Sequence, residues 1–161
     1  MPLYFAYGSN MDVAAMARRC PRSRPLGLAR LKRHTLAIMR EGWLTAIRVP
    51  NATVEGVLWD IALADMRALD RYEGLDEGLY AKTTQSVIAA TGPRRALIYF
   101  GVNAGPGIAR ADYIAGVLAV ARHWKLSAGA IAQIEGFAAQ AGASGHPASA
   151  RPRPPTLFRR D

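Results

Sequence analysis

The 161-residue chain contains a single cysteine, Cys20. No disulfide can form within it, and a reducing compartment is expected. Long hydrophobic runs are also missing, since no apolar stretch approaches the ~18 residues of a membrane-crossing helix. The first residues lack the charged segment and apolar run of a signal peptide and read instead as a strand. These absences predict a soluble cytoplasmic domain. Histidine is scarce: His34, His123 and His146 lie far apart and share no ligand spacing with Cys20. No metal is therefore expected, and the histidines read as surface or interfacial residues. Ser9 is not framed by the G-x-S-x-G of a hydrolase elbow. The glycines of residues 101–107 do not form a G-x-G-x-x-G fingerprint, so that stretch reads as a plain loop and no cofactor is expected.

Acidic residues are few, 12 against 21 basic ones, which leaves a net charge of +9. None lies between Ala17 and Arg40, while Arg18, Arg19, Arg22, Arg24, Arg30, Lys32 and Arg33 cluster there. Such a patch could hold phosphates non-specifically. Only Lys32, Lys82 and Lys125 are lysines, an arginine bias that codon composition can produce. No nucleic-acid-binding signature accompanies the charge, so a solvated basic surface is the expected reading.

Half of the residues are hydrophobic, as in a globular chain. The length suits one domain that buries roughly two thirds of its unfolded surface. Residues 1–141 are assigned to this domain. Residues 142–161, rich in Gly, Ala, Ser, Pro and Arg, are expected to form a flexible basic tail. No internal repeat is found.

Alternation and breakers predict strands over residues 3–7, 26–31, 35–40, 45–49, 54–60, 79–89 and 94–101. Gly56 marks a bulge or a close approach. Helices are predicted over residues 12–19, 61–72, 112–124 and 127–140, with Asp112 and Ser127 capping the last two. Strands without regular βα alternation argue against a doubly wound sheet. The expected class is α+β: an antiparallel or mixed sheet curled toward a small β-barrel and flanked by helices.

Two places could support chemistry. In Tyr4-Phe5-Ala6-Tyr7-Gly8-Ser9-Asn10, a strand runs into a tight turn and then a helix. Gly8 is expected at positive φ, with Ser9 or Asn10 as helix cap. Backbone amides and the positive end of a helix dipole would converge there, a setting that suits a carboxylate or a developing oxyanion. An ordinary βα connection has the same spacing. The second place is Glu73, at the end of a helix that Gly74 is expected to terminate in the left-handed region. A carboxylate facing the negative end of the dipole, partly buried beside Tyr72 and Leu75, would have a raised pKa. It could then accept and return a proton near neutral pH. A frayed, solvated helix end, with Asp70, Asp76 and Glu77 as similar surface carboxylates, is the alternative.

Taken together, Tyr4-Phe5-Ala6-Tyr7-Gly8-Ser9-Asn10-Met11 and Leu69-Asp70-x-x-Glu73-Gly74 with Leu79-Tyr80 resemble the two hallmarks of the gamma-glutamylcyclotransferase-like family. Gly42-Trp43-Leu44-Thr45-Ala46-Ile47 and Val54-Glu55-Gly56-Val57-Leu58-Trp59 resemble its intervening strands. The likeness covers roughly residues 3–135 in order. It implies a small mixed β-barrel with one polar pocket and a small γ-glutamyl molecule as substrate. The loop of Tyr4, Ala6, Tyr7, Gly8, Ser9 and Asn10 would bind that substrate through its amides, and Glu73 would be the acid/base. Tyr80 would border the site and Tyr113 would contact substrate. The implied reaction is cyclisation of a γ-glutamyl amine or amino acid to 5-oxoproline with release of the amine, without cofactor. A related amide hydrolase or acyltransferase, or a non-catalytic binding module of the same fold, would share these features. Asp76 and Glu77 add negative charge near the expected pocket mouth and leave the choice of leaving group open, as is oligomeric state.

Overall fold

The computed structural model describes residues 1–144. Five strands form the centre: β1 (Leu3–Ala6), β2 (Arg24–Ile38), β3 (Leu44–Asp60), β4 (Tyr80–Ala89) and β5 (Gly92–Gly101). They close into a barrel in the order β1-β3-β2-β4-β5. The neighbours are antiparallel except β1 and β5, which run parallel and make the barrel mixed. Helices α1 (Val13–Arg19), α2 (Met66–Tyr72), α3 (Ala111–His123) and α4 (Ala128–Ala143) flank it. The expected α+β barrel with flanking helices is therefore present.

The two longest strands differ from the expected short ones. The predicted strands 26–31 and 35–40 are joined through Arg33-His34 in β2, and 45–49 and 54–60 are joined through Pro50 in β3. The register passes from Lys32 opposite Thr53 to His34 opposite Arg48, so the irregularity is absorbed as a bulge. Arg33 takes a left-handed φ of 60° there. Pro50 falls among the unpaired residues, where its missing N–H removes no ladder bond. Past the bulge, His34 is buried and stacks on Phe100, rather than lying at the surface; His123 is exposed. His146 lies outside the described residues.

Gly56 is a point of close approach. A Cβ there would sit 2.3 Å from the Ala6 carbonyl oxygen and 2.8 Å from the Phe5 ring. This lets β1 lie against β3, and Phe5, Leu31, Val57 and Ile98 join the core with almost no exposure. Each such side chain stabilises the fold by about 1.5–3 kcal/mol on burial.

Outside the barrel, α3 buries Ile114, Val117 and Ala121, a helical spacing, and packs against α4. Arg110 rather than Asp112 is the N-cap of α3, whereas Ser127 caps α4 through Ala130 N as expected. The α4 helix continues to Ala143, so Gly142 and Ala143 belong to it and not to a tail; residues 145–161 lie outside the described part. The indole of Trp124 donates to the Met11 carbonyl oxygen at 2.8 Å and ties the end of α3 to the loop after β1. No helix among the described residues is long and apolar enough to cross a membrane.

Candidate active site

β1 leads into Tyr7 and Gly8, and then into one turn of 3-10 helix, Ser9–Met11. Gly8 has φ −128°, not the positive value expected. Space rather than backbone conformation favours glycine there: a Cβ would lie 3.1 Å from the Tyr113 hydroxyl, which would have to give way by a few tenths of an ångström. Neither Ser9 nor Asn10 caps α1. That role belongs to Asp12, whose carboxylate accepts from Ala15 N at 3.1 Å. The extra 3-10 turn displaces the cap, because Met11 N and Asp12 N bond back to the carbonyls of Gly8 and Ser9. The amides of Gly8, Ser9 and Asn10 have no hydrogen-bond acceptor among the described residues.

Glu73 is the C-cap of α2. Gly74 follows at φ +66°, its N–H bonded to Arg71 O, and Leu75 N bonds to Asp70 O. This pair of bonds is a Schellman closure, and it turns the chain sharply at the glutamate as the Gly74 position led us to expect. The result is a buried carboxylate, 7% exposed, not a frayed helix end. Its Oε1 accepts from Asn10 Nδ2 at 2.8 Å and, more distantly, from the Tyr4 hydroxyl at 3.4 Å. Asn10 Nδ2 also donates to the Tyr4 hydroxyl at 3.1 Å.

One cleft therefore brings together Tyr4, Tyr7, Gly8, Ser9, Asn10, Glu73, Tyr80 and Tyr113. Its empty space is about 340 Å³ counted to the open mouth. Ala6 does not line it: the residue is held in the ladder opposite Val57, with its carbonyl against Gly56. Asp76 and Glu77 are exposed and do not line it either. Tyr80 donates to Leu44 O at 2.5 Å, Tyr7 donates to Tyr99 O at 2.6 Å, and the Tyr113 hydroxyl accepts from Leu44 N at 3.3 Å.

Several contributors were missed in the sequence. Phe5, Leu44 and Tyr99 complete the lining. The Tyr99 hydroxyl donates to Asp70, which also pairs with Lys82 at 2.8 Å, so Asp70 is not a solvated surface carboxylate. Arg19 donates to Asn10 Oδ1 and lies over the Tyr72 ring, whose hydroxyl bonds Ser9 Oγ at 2.9 Å. Alternation gave a faint signal for Tyr99, on the opposite side of β5 from Ala96 and Ile98. No local pattern singles out the other contacts.

The site is dominated by phenols kept protonated. Burial, then the negative charge of Glu73, pushes Tyr4 and Tyr7 well above the ordinary tyrosine value. Burial, then the bond to Asp70, does the same for Tyr99. At neutral pH these hydroxyls are donors. Among the described residues no group of three or more His, Cys, Asp or Glu side chains is arranged to hold a metal.

A closed mixed barrel with one buried carboxylate facing a strand–turn loop defines the class of fold and site. The chain belongs to the family described as gamma-glutamyl cyclotransferase, AIG2-like, which matches residues 4–115 and so includes both the loop and Glu73. It is similar to the gamma-glutamylcyclotransferase of Bos taurus, 30% identical over 100 residues. That match covers 56% of this chain and 53% of the bovine protein, about half of that relative's length. Among solved structures it is similar to one called gamma-glutamyl cyclotransferase, with TM-score 0.76 and 23% identity over 83% of this chain and 86% of that one. YkqA from Bacillus subtilis is also similar, with TM-score 0.73 and 24% identity over 86% of this chain and 54% of that one. At these identities the structural likeness speaks for the fold.

Proposed function

We propose that the protein is a cofactor-independent cyclotransferase that converts a γ-glutamyl amine or γ-glutamyl amino acid to 5-oxoproline and the free amine. The observation that supports this most is one cleft lined both by the buried Glu73 carboxylate and by Gly8, Ser9 and Asn10, whose backbone amides are unengaged among the described residues. The substrate contains its own nucleophile. Glu73 takes a proton from the α-ammonium, and the α-nitrogen then attacks the γ-carbonyl carbon. The new C–N bond closes a five-membered ring as the carbonyl oxygen becomes an oxyanion. Amides of the loop hydrogen-bond that oxyanion, at about 3 kcal/mol per well-placed donor. The old amide C–N bond then breaks as the same carboxyl gives its proton to the departing nitrogen, and the ring nitrogen sheds its second proton to water, leaving the lactam N–H and the free amine.

Holding the substrate folded supplies much of the remaining acceleration, since the reaction is intramolecular. The hydroxyls of Tyr4, Tyr7, Tyr80 and Tyr113 border the cleft, where their oxygen lone pairs can accept from the amine of the substrate and so orient it. The test is incubation with a panel of γ-glutamyl amino acids and amines, scoring 5-oxoproline by mass, with wild type and Glu73→Gln side by side. The wild type should release 5-oxoproline from at least one member, and Glu73→Gln should lose at least ~100-fold in kcat with its fold retained. No product from any member sinks the activity. Equal rates in the two proteins sink Glu73 as the base.

A further inference from the structure

The Asn10 amide is where the orientation of Glu73 is decided. Its Nδ2 faces Glu73 Oε1 and the Tyr4 hydroxyl, while its Oδ1 faces Arg19. A side-chain amide has one donor end and one acceptor end of nearly the same shape, so packing alone does not select between the two orientations. A guanidinium has donors only. Beside Arg19 the amide must present its oxygen, which leaves its NH2 pointing at the carboxylate. The flipped amide would set oxygen against carboxylate and NH2 against guanidinium, unfavourable at both ends.

Arg19 is itself held for this task. It sits in the last turn of α1, where a cation is favoured by the helix dipole. Its Cζ lies 3.2 Å from the Tyr72 ring centroid, and the Tyr72 hydroxyl is bonded to Ser9 Oγ. Tyr72 is the residue before Glu73, so one stack joins the end of α1, the loop after β1 and the end of α2. Arg19 does not line the cleft.

We propose that Arg19 is a positioning residue for Glu73, acting through Asn10: it fixes the amide so that its NH2 holds Oε1 of the carboxylate. This rests on Glu73 being the acid/base, but it also makes a claim about Glu73 that needs no turnover. The experiment therefore uses two readouts on Arg19→Met, Arg19→Lys, Asn10→Ala and the Arg19→Met/Asn10→Ala double variant. The first is kcat and KM for 5-oxoproline release. The second is the titration of Glu73 followed by the carboxyl carbon-13 signal in the protein without substrate.

Arg19→Met should lower kcat by about 10- to 100-fold with little change in KM, as expected when a reacting group loses its placement. Arg19→Lys, which keeps a donor but not the planar stack, should fall between it and wild type. Free guanidinium should restore part of the Arg19→Met activity. The double variant should be no worse than Asn10→Ala alone, because the two residues act in series. The titration midpoint of Glu73 should rise in Arg19→Met, the direction that follows from losing a donor to the ionised carboxylate. Tyr4, Tyr7, Tyr99 and Cys20, whose titrations feel the charge of Glu73, are the same in every variant.

Losses that multiply in the double variant, or a Glu73 midpoint unmoved in folded Arg19→Met, overturn the proposal. If Arg19→Met does not fold, the Arg19→Lys comparison decides it by the same criteria. A wild type that releases no 5-oxoproline but shows the coupled titration removes the cyclotransferase reading and leaves the positioning role standing.

Discussion

Gly8 shows how a single residue can be fixed by what surrounds it. Its backbone at φ −128° is open to any amino acid, so alanine would not be strained there. What alanine would meet is the Tyr113 hydroxyl at 3.1 Å, tighter than most contacts of a Cβ and directly over the cleft. Gly8→Ala should therefore cost little stability, about 1 kcal/mol, yet raise KM by displacing Tyr113. Removing the opposing oxygen in Gly8→Ala/Tyr113→Phe should recover most of that stability in urea unfolding. Failure to recover it would mean the strain lies elsewhere. Tyr99 makes the complementary case, a hydroxyl whose value lies in its partner. Tyr99→Phe leaves the Asp70 carboxylate with Lys82 but without the phenol donor. Urea unfolding should show a loss of about 1.5–3 kcal/mol, the range for a hydrogen bond to a charged group.

At the scale of elements, the site depends on how α2 ends. Gly74 at φ +66° closes the Schellman pair, and a Cβ there would also meet Leu79 Cβ at 3.1 Å. Gly74→Ala should cost about 1–2 kcal/mol for the left-handed backbone alone. It should also lower kcat, because the turn that aims Glu73 is the turn being strained. A variant with unchanged kcat would show that Glu73 is aimed by its hydrogen bonds rather than by the helix end. This ending was legible in the sequence because Glu-Gly after an apolar helical stretch is a local signal. The loop at Tyr4 to Asn10 was legible for the same reason, although its extra 3-10 turn was not, and the cap moved to Asp12. The continuous β2 and β3 were read as fragments. Local rules treat Arg33-His34 and Pro50 as breaks, whereas the pairing of two long strands absorbs both in one bulge. Asp70 and Arg19 escaped because their partners, Lys82, Tyr99 and Asn10, meet them only when the barrel closes and the helices dock on it. Before that, an arginine in a run of arginines has nothing to distinguish it.

For the whole molecule, the same burial that builds the site should set its alkaline limit. Burial and the charge of Asp65 push the Cys20 thiol up to about 11 from an ordinary 9.0, and Tyr4, Tyr7 and Tyr99 are all raised above their ordinary 10.0. These groups are protonated in both folded and unfolded chains below about pH 8, so they give no slope there. As the pH rises through 9 and 10, the unfolded chain releases their protons while the folded chain keeps them. The unfolded state then binds fewer protons, and stability must fall with rising pH. Each group fully in that window contributes about 1.4 kcal/mol per pH unit. Urea unfolding between pH 7.5 and 10.5 should be flat at first and then decline, with Cys20→Ala reducing the early part of the decline and Tyr99→Phe the later part. Thiol labelling provides an independent check on the same burial. Cys20 has no exposed surface, so a thiol reagent at pH 8 should react only on the timescale of unfolding, and at once in denaturant. Fast labelling of the folded protein, or a stability that stays flat to pH 10.5, would mean that the region between α1 and α2 opens far more readily than its packing implies. Because Glu73 caps α2 and Asn10 is held by Arg19 at the end of α1, catalysis would then have to be explained with a site that assembles around its substrate.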